Sequence, residues 1–225
     1  MNRNASTRNL VLVLGDQLDD RSAAFDGFDR RTDKVWMAEA RAEADHVWST
    51  RSRIVMFLSA MRHFRDRLRG RDIDVRYSEL SQADNTGTLA GELERCVKTE
   101  RPERLLVVHP GEYRVLSDLK AAAKSLNVPL DVRPDRSFLC APEEFEEHAE
   151  GRKNLRMEFF YRQMRRKLDV LMDEDKPVGG KWNLDDENRA SFGADGPAEA
   201  VEHKSFGPDE VTREGIRQVH KVLPE

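Results

Sequence analysis

Two groups of side chains in this sequence are candidates for chemistry, and the first is a set of hydrogen-bonding groups that follow predicted strands. They are Gly15, Asp16, Gln17, Glu39, Glu43 and Glu112. Carboxylates and an amide suit hydrogen bonding to a neutral ligand, either polyhydroxylated or heteroaromatic. They suit phosphate poorly, because no glycine-rich phosphate-binding motif follows the first strand and the nearby charges are acidic. The alternative interpretation is structural, with Asp16 capping a helix or turn and the glutamates in solvent.

The second group lies in residues 151–167, where seven basic residues accompany one acid, Glu158, and three consecutive aromatics. Arginine forks bind phosphate bidentately, and aromatic rings stack on bases or pack against another domain. The candidate contacts with nucleic acid are Arg162, Arg165, Arg166 and Lys181. Because the aromatics also fit an apolar helical stripe, a buried or interdomain role is favoured over direct contact with nucleic acid.

Catalytic and metal-binding patterns are weak. The six histidines show no metal-ligand spacing, and the two cysteines are too few for a disulfide framework or an iron–sulfur cluster. His63 lies in a helical pattern and is interpreted as a packed or surface histidine, and Cys96 as a core thiol. No catalytic residue and no metal ligand is therefore predicted.

The candidate ligand residues must be held by the elements around them, and the chain alternates strands with helices. The predicted strands are residues 10–14, 34–38, 73–77, 105–109 and 130–133. Helical periods connect them, as in residues 52–68, where apolar side chains recur every three to four positions. The pattern predicts an α/β fold, a Rossmann-like open parallel five-stranded sheet with helices on both faces. In such sheets ligands bind beyond the carboxyl ends of the strands, at the topological switch point, where the candidate residues fall.

Three segments are expected along the chain. Residues 1–135 form the α/β domain, residues 136–172 form connecting helices packed on it, and residues 173–225 form a linker of the interdomain type with a terminal helix. The middle segment contains a short acidic helix at 142–150 and an arginine-rich helix at 156–172. The polar, Gly- and Pro-rich stretch 173–209 is typical of a long loop. The terminal helix, predicted at 209–222, has an apolar side with Ile216, Val219 and Leu223.

The charge balance and the apolar runs limit the classes of partner. The 225 residues carry a formal net charge of -4 at pH 7, which argues against indiscriminate binding of nucleic acid by the whole molecule. The first apolar run, 10–14, is too short for a secretory signal or a membrane span. A cytoplasmic protein without membrane contact is therefore expected.

Motifs spread over nearly the whole chain resemble one family in their order. They are VLVLGDQLD at 11–19, MAEARAEADHVW at 37–48, LSAMRHFRDRL at 58–68, PGEYRVL at 110–116, RPDRSFLC at 133–140, FFYRQMRR at 159–166 and PVGGKWNLDDENR at 177–189. This set is similar to the photolyase-related branch of the cryptochrome/photolyase superfamily. Full-length members of that branch are iron–sulfur bacterial cryptochromes and (6-4) photolyases.

The resemblance implies an N-terminal antenna domain that serves light-dependent DNA repair or blue-light sensing. It implies a light-harvesting chromophore, 6,7-dimethyl-8-ribityllumazine or a flavin, bound at Gly15, Asp16, Gln17, Glu39 and Glu43, with Glu112 as a further candidate. A ribityl chain and a pterin-like ring need the acceptors and donors that these positions offer, so the resemblance and the residue chemistry agree.

The resemblance also implies what this chain lacks. Family members continue into an all-helical domain that binds FAD, holds a 4Fe–4S cluster and docks DNA, so FAD and the cluster are not expected in this chain. It is then a photolyase-related polypeptide that is not catalytic alone, whose partner is a separate flavin-binding domain or a second copy, and which meets DNA only indirectly. The alternative is a nucleic-acid or protein interaction module that uses the basic face of residues 151–167. A small enzyme acting on a nucleotide-like ligand is a third, less favoured hypothesis.

Overall fold

The computed structural model describes residues 7–47, 49–183, 185, 191–194, 196 and 203–222. The chain divides into two compact units, one formed by Met1–Ser137 together with Gly207–Glu225, the other by Phe138–Phe206. We call them unit 1 and unit 2. The predicted division at residues 135 and 172 stays a prediction.

Unit 1 contains one five-stranded sheet in which every pairing is parallel. The strands are β1 Asn9–Leu12, β2 Lys34–Ala38, β3 Val75–Ser78, β4 Arg104–Val108 and β5 Leu130–Arg133. Their order across the sheet is β3-β2-β1-β4-β5. In the register, Val11 of β1 lies opposite Val35 of β2 and Leu106 of β4. The chain therefore winds outwards from β1 in both directions, as expected for a Rossmann-like sheet.

Seven helices accompany the strands in the described residues. They are α1 Arg41–His46, α2 Arg51–Arg69, α3 Leu89–Glu100, α4 Tyr113–Ser125, α5 Pro142–Ala149, α6 Met157–Leu168 and α7 Glu210–Val222. No helix among those described is both long and apolar enough to cross a membrane.

Both faces of the sheet are buried, which confirms the predicted α/β fold with helices on each side. Val11, Val35 and Met37 belong to a core cluster with the apolar side chains of α2 and α7. On the other face, Trp36 belongs to a second cluster with the apolar side chains of α3 and α4. Each central strand must therefore be apolar on both sides, which is why the strands read as continuous aliphatic runs.

The terminal helix α7 packs on α2 within unit 1. Val219 of α7 is fully buried, and a Cβ added at Gly215 would lie 3.2 Å from the Ser59 hydroxyl of α2. At the start of α7, the His63 ring nitrogen Nε2 lies 2.8 Å from a carboxylate oxygen of Asp209. The helix predicted at 209–222 is confirmed, whereas Leu223 lies outside the described residues.

Unit 2 is held by an aromatic cluster and a short hairpin. The rings of Phe145 and Phe160 meet edge to face, with centroids 5.1 Å apart. The arginine-rich helix α6 ends at Leu168 and not at 172 as predicted, because Asp169 adopts the left-handed conformation with φ 53. The stretch predicted as loop contains a two-stranded antiparallel sheet, β6 Met172–Asp173 with β7 Lys176–Pro177. Sequence reasoning missed this hairpin because its strands are only two residues long.

Candidate functional site

A cavity of about 370 Å³ opens in unit 1 beyond the carboxyl ends of β1, β2 and β4. In the sheet, β1 lies between β2 and β4, so the cavity is at the topological switch point where ligands bind in open α/β folds. Of the six predicted ligand residues, Gly15, Asp16, Glu39, Glu43 and Glu112 line it. The fold thus brings together side chains that are almost a hundred positions apart in the sequence.

The interior of the cavity is apolar, and its wall comes from the strand ends and from α2. The apolar lining includes Leu14, Ala38, Phe57, Met61, Leu80 and Val115. Gly15 allows the end of β1 to approach α2, because a Cβ there would lie 3.1 Å from the sulfur of Met61. A side chain at Gly15 would therefore press on the wall of the cavity.

Three carboxylates, Asp16, Glu43 and Glu112, form what we call the acidic rim of the cavity. Arg114 donates two hydrogen bonds to Glu43, at 3.0 and 2.8 Å, and one to Glu112 at 3.1 Å. The hydrogen bonds from Arg114 to Glu43 raise the pKa of the arginine, and Glu112 raises it further. One guanidinium therefore orders two of the three carboxylates and leaves the rim with an excess of negative charge.

Asp16 is the rim carboxylate to which Arg114 makes no hydrogen bond. Partial burial raises the pKa of the Asp16 carboxyl; a hydrogen bond from its own backbone lowers it in part, and the negative charges of Glu112, Asp135 and Glu43 raise it further. In the described part of the chain, no other side chain donates a hydrogen bond to this carboxylate. Gly111 lies close by, since a Cβ there would be 3.7 Å from an Asp16 carboxylate oxygen. Asp16 can therefore accept a hydrogen bond from a bound hydroxyl or ring N–H.

Glu39 lines the cavity, but its carboxylate already accepts hydrogen bonds from other groups of the protein. Arg62 donates to its two oxygens at 2.7 and 2.9 Å, the Tyr77 hydroxyl donates at 2.6 Å, and the Leu80 N–H donates at 2.8 Å. Glu39 and Arg62 are each 1% exposed, so the pair needs these partners to offset its desolvation. Glu39 therefore belongs to the wall of the cavity, and its role in ligand binding stays a prediction.

Gln17 is not among the residues that line the cavity, and its role in ligand binding stays a prediction. Its amide nitrogen donates to the carbonyls of Val108 at 3.3 Å and His109 at 2.9 Å. These bonds tie the segment after β1 to the end of β4. The Gln17 side chain thus holds the ends of these two neighbouring strands together.

Sequence reasoning missed the contribution of the first turns of α2. Phe57 and Arg53 both line the cavity, and the Arg53 guanidinium lies 5.7 Å from the centre of the Phe57 ring. Their spacing of four residues puts them on one face of the helix. That spacing is available in the sequence, but by itself it predicts only an amphipathic helix over residues 52–68.

The basic cluster of unit 2 is organised around one ring. The guanidinium carbons of Arg162, Arg165 and Arg166 lie 5.4, 5.2 and 4.7 Å from the centre of the Trp182 ring. Arg165 is 4% exposed and donates to the carbonyls of Val170 and Leu171, which follow the end of α6. Arg165 therefore packs inside unit 2, whereas Arg162 is partly buried and Arg166 is exposed. Contact with nucleic acid through them, or through the exposed Lys181, stays a prediction.

Comparison with known proteins identifies relatives of the chain. The family model described as deoxyribodipyrimidine photo-lyase-related protein matches residues 11–225. A protein named (6-4) photolyase, from Agrobacterium fabrum, is 43% identical over 216 residues, which cover 96% of this chain and 42% of that protein. An uncharacterized protein of Acanthamoeba polyphaga mimivirus is 26% identical over 144 residues, covering 62% of this chain and 71% of that protein. The chain thus spans less than half the length of the (6-4) photolyase that it resembles.

Proposed function

Because this chain belongs to the family of deoxyribodipyrimidine photo-lyase-related proteins, we propose that unit 1 is an antenna-type domain that binds a light-absorbing chromophore. The chromophore is a fused heteroaromatic ring with a ribityl chain, 6,7-dimethyl-8-ribityllumazine or a flavin. In this proposal the domain serves light-dependent DNA repair or blue-light sensing and does not catalyse repair alone. Its partner is a flavin-binding domain or a second copy of the chain.

The observation that carries the proposal is the pairing of an apolar wall with an acidic rim in one cavity. Phe57 and Met61 offer a surface against which a flat ring can pack, and such rings prefer aromatic and sulfur-containing neighbours. The hydroxyls of a ribityl chain are donors that the carboxylates of Asp16 and Glu112 can accept. The volume, about 370 Å³, lies within the range of roughly 300–1,000 Å³ that small-molecule sites occupy.

A fluorescence titration tests the proposal. The purified chain is titrated with 6,7-dimethyl-8-ribityllumazine and, separately, with riboflavin, and the dissociation constant is taken from the change in ligand fluorescence. Gly15→Leu fills space beside Met61 and should weaken binding by at least about tenfold, because displacing two methylene-sized contacts is worth about 1.6 kcal/mol. Gly207→Leu is the matched control, since a Cβ at Gly207 meets nothing within 4 Å.

Two results would count against the proposal. One is that the folded chain changes the fluorescence of neither ligand. The other is that Gly15→Leu, with the circular dichroism spectrum of the parent chain, binds as tightly as the parent does. The interaction-module alternative is not advanced as a second function, because Arg162, Arg165 and Arg166 all lie over the Trp182 ring and Arg165 is buried.

A further inference from the structure

We propose that the acidic rim makes the cavity selective for chromophores whose ribityl chain ends in a free hydroxyl, and that it rejects their 5′-phosphates. The inference rests on the proposed chromophore site and narrows its ligand class. It separates riboflavin from FMN, and a ribityllumazine from its 5′-phosphate.

The first argument is the charge of the lining. The rim contributes three carboxylates, whereas Arg114 is the cation that pairs with two of them. The fourth lining carboxylate, Glu39, is balanced by Arg62. Asp135 adds a further negative charge close enough to affect Asp16. A phosphate dianion at the rim would therefore meet a surplus of like charge.

The second argument is hydrogen-bonding capacity. Ionised carboxylates only accept hydrogen bonds, and an ionised phosphate also only accepts them, whereas a hydroxyl donates. The terminal hydroxyl of a ribityl chain can thus pair with Asp16 or Glu112, and a phosphate in its place cannot. Hydrogen bonding alone therefore favours the alcohol over the phosphate, in addition to the effect of charge.

The third argument concerns the helix N-termini near the cavity, where α/β proteins usually bind phosphate. Glu112 is the N-cap residue of α4, and Glu43 lies in the first turn of α1. Each of these N-termini therefore already carries a carboxylate of the protein. After β1 the chain makes a turn in which the Gln17 N–H donates to the Leu14 carbonyl at 3.0 Å. That amide is not available to an anion.

A second arginine in the lining, besides Arg114, could oppose this selectivity. Arg53 is exposed and its guanidinium lies over the Phe57 ring, so it belongs to the aromatic wall against which the ring system packs. The N-terminus of α2 is closed by Thr50, whose side chain accepts a hydrogen bond from the Arg53 N–H. We therefore expect Arg53 to contact the ring system of the chromophore and not the end of its ribityl chain.

The size of the effect follows from Coulomb's law. A carboxylate about 8 Å from a dianionic phosphate in water weakens binding roughly fourfold at 10 mM salt and roughly twofold at 100 mM salt. With one surplus charge or more, together with the loss of a donor, we expect riboflavin to bind at least about tenfold more tightly than FMN at low salt. The ratio should narrow as salt is added.

The experiment measures four dissociation constants, for riboflavin, FMN, 6,7-dimethyl-8-ribityllumazine and its 5′-phosphate, at pH 7 in 10 and 150 mM salt. Asp16→Asn and Glu112→Gln should each narrow the preference for the free alcohol by roughly fourfold at low salt. Glu94→Gln is the matched control, because Glu94 lies on α3 and pairs with Lys98 at the surface. That variant should leave the ratio unchanged.

Each outcome discriminates between the two proposals. Equal affinity for the alcohol and its phosphate, or a ratio that Asp16→Asn and Glu112→Gln leave unchanged, overturns the inference and leaves the chromophore site standing. An Arg53→Gln variant that weakens FMN tenfold more than riboflavin also overturns it, since the phosphate would then lie against α2. Failure of all four ligands to bind the folded chain overturns the chromophore site, and the selectivity with it.

Discussion

Replacing Arg62 by Met should strongly destabilise unit 1, because it would leave a buried carboxylate without its counter-ion. In the native structure the Arg62 guanidinium donates to Glu39 at 2.7 and 2.9 Å, and the two side chains are 1% and 0% exposed. Burial alone would lower the pKa of Arg62, but the hydrogen bonds and charge of Glu39 outweigh that effect and raise it. The pair is therefore charged, and Met fills much of the volume of Arg without its charge.

The magnitude follows from the burial of the pair. Removing one partner of a buried ion pair costs about 3–5 kcal/mol, whereas an exposed pair is worth about 0–1 kcal/mol. After Arg62→Met, the Glu39 carboxylate would keep the Tyr77 hydroxyl and the Leu80 N–H as donors, so we expect the lower half of that range. A loss of about 3–4 kcal/mol lowers Tm by roughly 6–16 °C in a chain of this size.

The assay is equilibrium unfolding in urea at pH 7, with a double-mutant cycle. Arg62→Met, Glu39→Gln and the double variant are compared with the parent chain. The double variant should be more stable than the sum of the two single losses predicts, by about 2–3 kcal/mol, because it leaves no buried unpaired charge. Arg67→Met is the control on the same helix, since Arg67 is exposed and lies over the Phe64 ring. It should cost less than about 1 kcal/mol.

Two results would refute this reasoning. If Arg62→Met lost no more stability than Arg67→Met, the buried pair would not hold the wall of the cavity. If the stability lost in the double variant equalled the sum of the losses in Arg62→Met and Glu39→Gln, the two side chains would act independently, and the buried pair would not be an energetic unit.

Three further predictions concern single ionisable groups. Because the folded-state pKa of Asp16 is raised, ionisation destabilises the folded state, and Asp16→Asn should increase the free energy of unfolding at pH 7 by less than about 1 kcal/mol. Urea titrations should show this gain in stability vanish below about pH 4. A loss of stability at pH 7 would contradict the prediction. For Asp33 burial is outweighed by the hydrogen bonds from Arg8, Asp29 and Asn9, and its pKa is lowered, so Asp33→Asn should cost about 1.5–3 kcal/mol at pH 7. In the same titrations that difference should shrink as the pH falls below about 4, and a constant difference would count against it. Burial raises the pKa of the Cys96 thiol to about 12, so iodoacetamide at pH 8 should label it only after urea is added, as mapped by mass spectrometry, because the thiolate fraction is on the order of 10⁻⁴.

The central strands β1, β2 and β4 could be predicted from the sequence because they are buried on both faces. Residues 34–38 and 130–133 were predicted with the bounds that the structure gives; the first is a largely apolar run, and the second alternates apolar with charged residues after Pro129. The family was recognised from its motifs, and the match over residues 11–225 confirms it. For β1 the prediction ran on to residue 14, because Val13 and Leu14 stay buried after the strand ends.

The partners of the site residues could not be predicted, because they are set by tertiary contacts. In the sequence, Glu39 resembles a carboxylate that is available to bind a ligand. Nothing near it in the sequence indicates that Arg62 is its buried ion-pair partner. An amphipathic pattern assigns charged positions to solvent, so it gives no reason to expect a buried arginine at position 62. The same limit applies to Gln17, whose partners are backbone carbonyls 91 and 92 positions away.

The end of α6 was missed for a different reason. Helices commonly end at glycine in the left-handed conformation, but here Asp169 takes that conformation, and Leu171 and Glu174 follow with positive φ. No glycine marks the turn in the sequence. The Arg165 side chain stabilises it by donating to the carbonyls of Val170 and Leu171.

The packing of α7 on α2 constrains the order of folding during synthesis. Arg62 donates to the Gln218 side-chain oxygen across a separation of 156 residues. At about 5–20 residues per second on the ribosome, α7 is completed roughly 8–30 s after α2. For that interval the face of α2 that carries Ser59 lacks its cover, and the buried pair behind the cavity lacks one of its partners. The cavity therefore reaches its final form late, after unit 2 has been synthesised, and a chromophore that needs that form binds to a nearly finished domain.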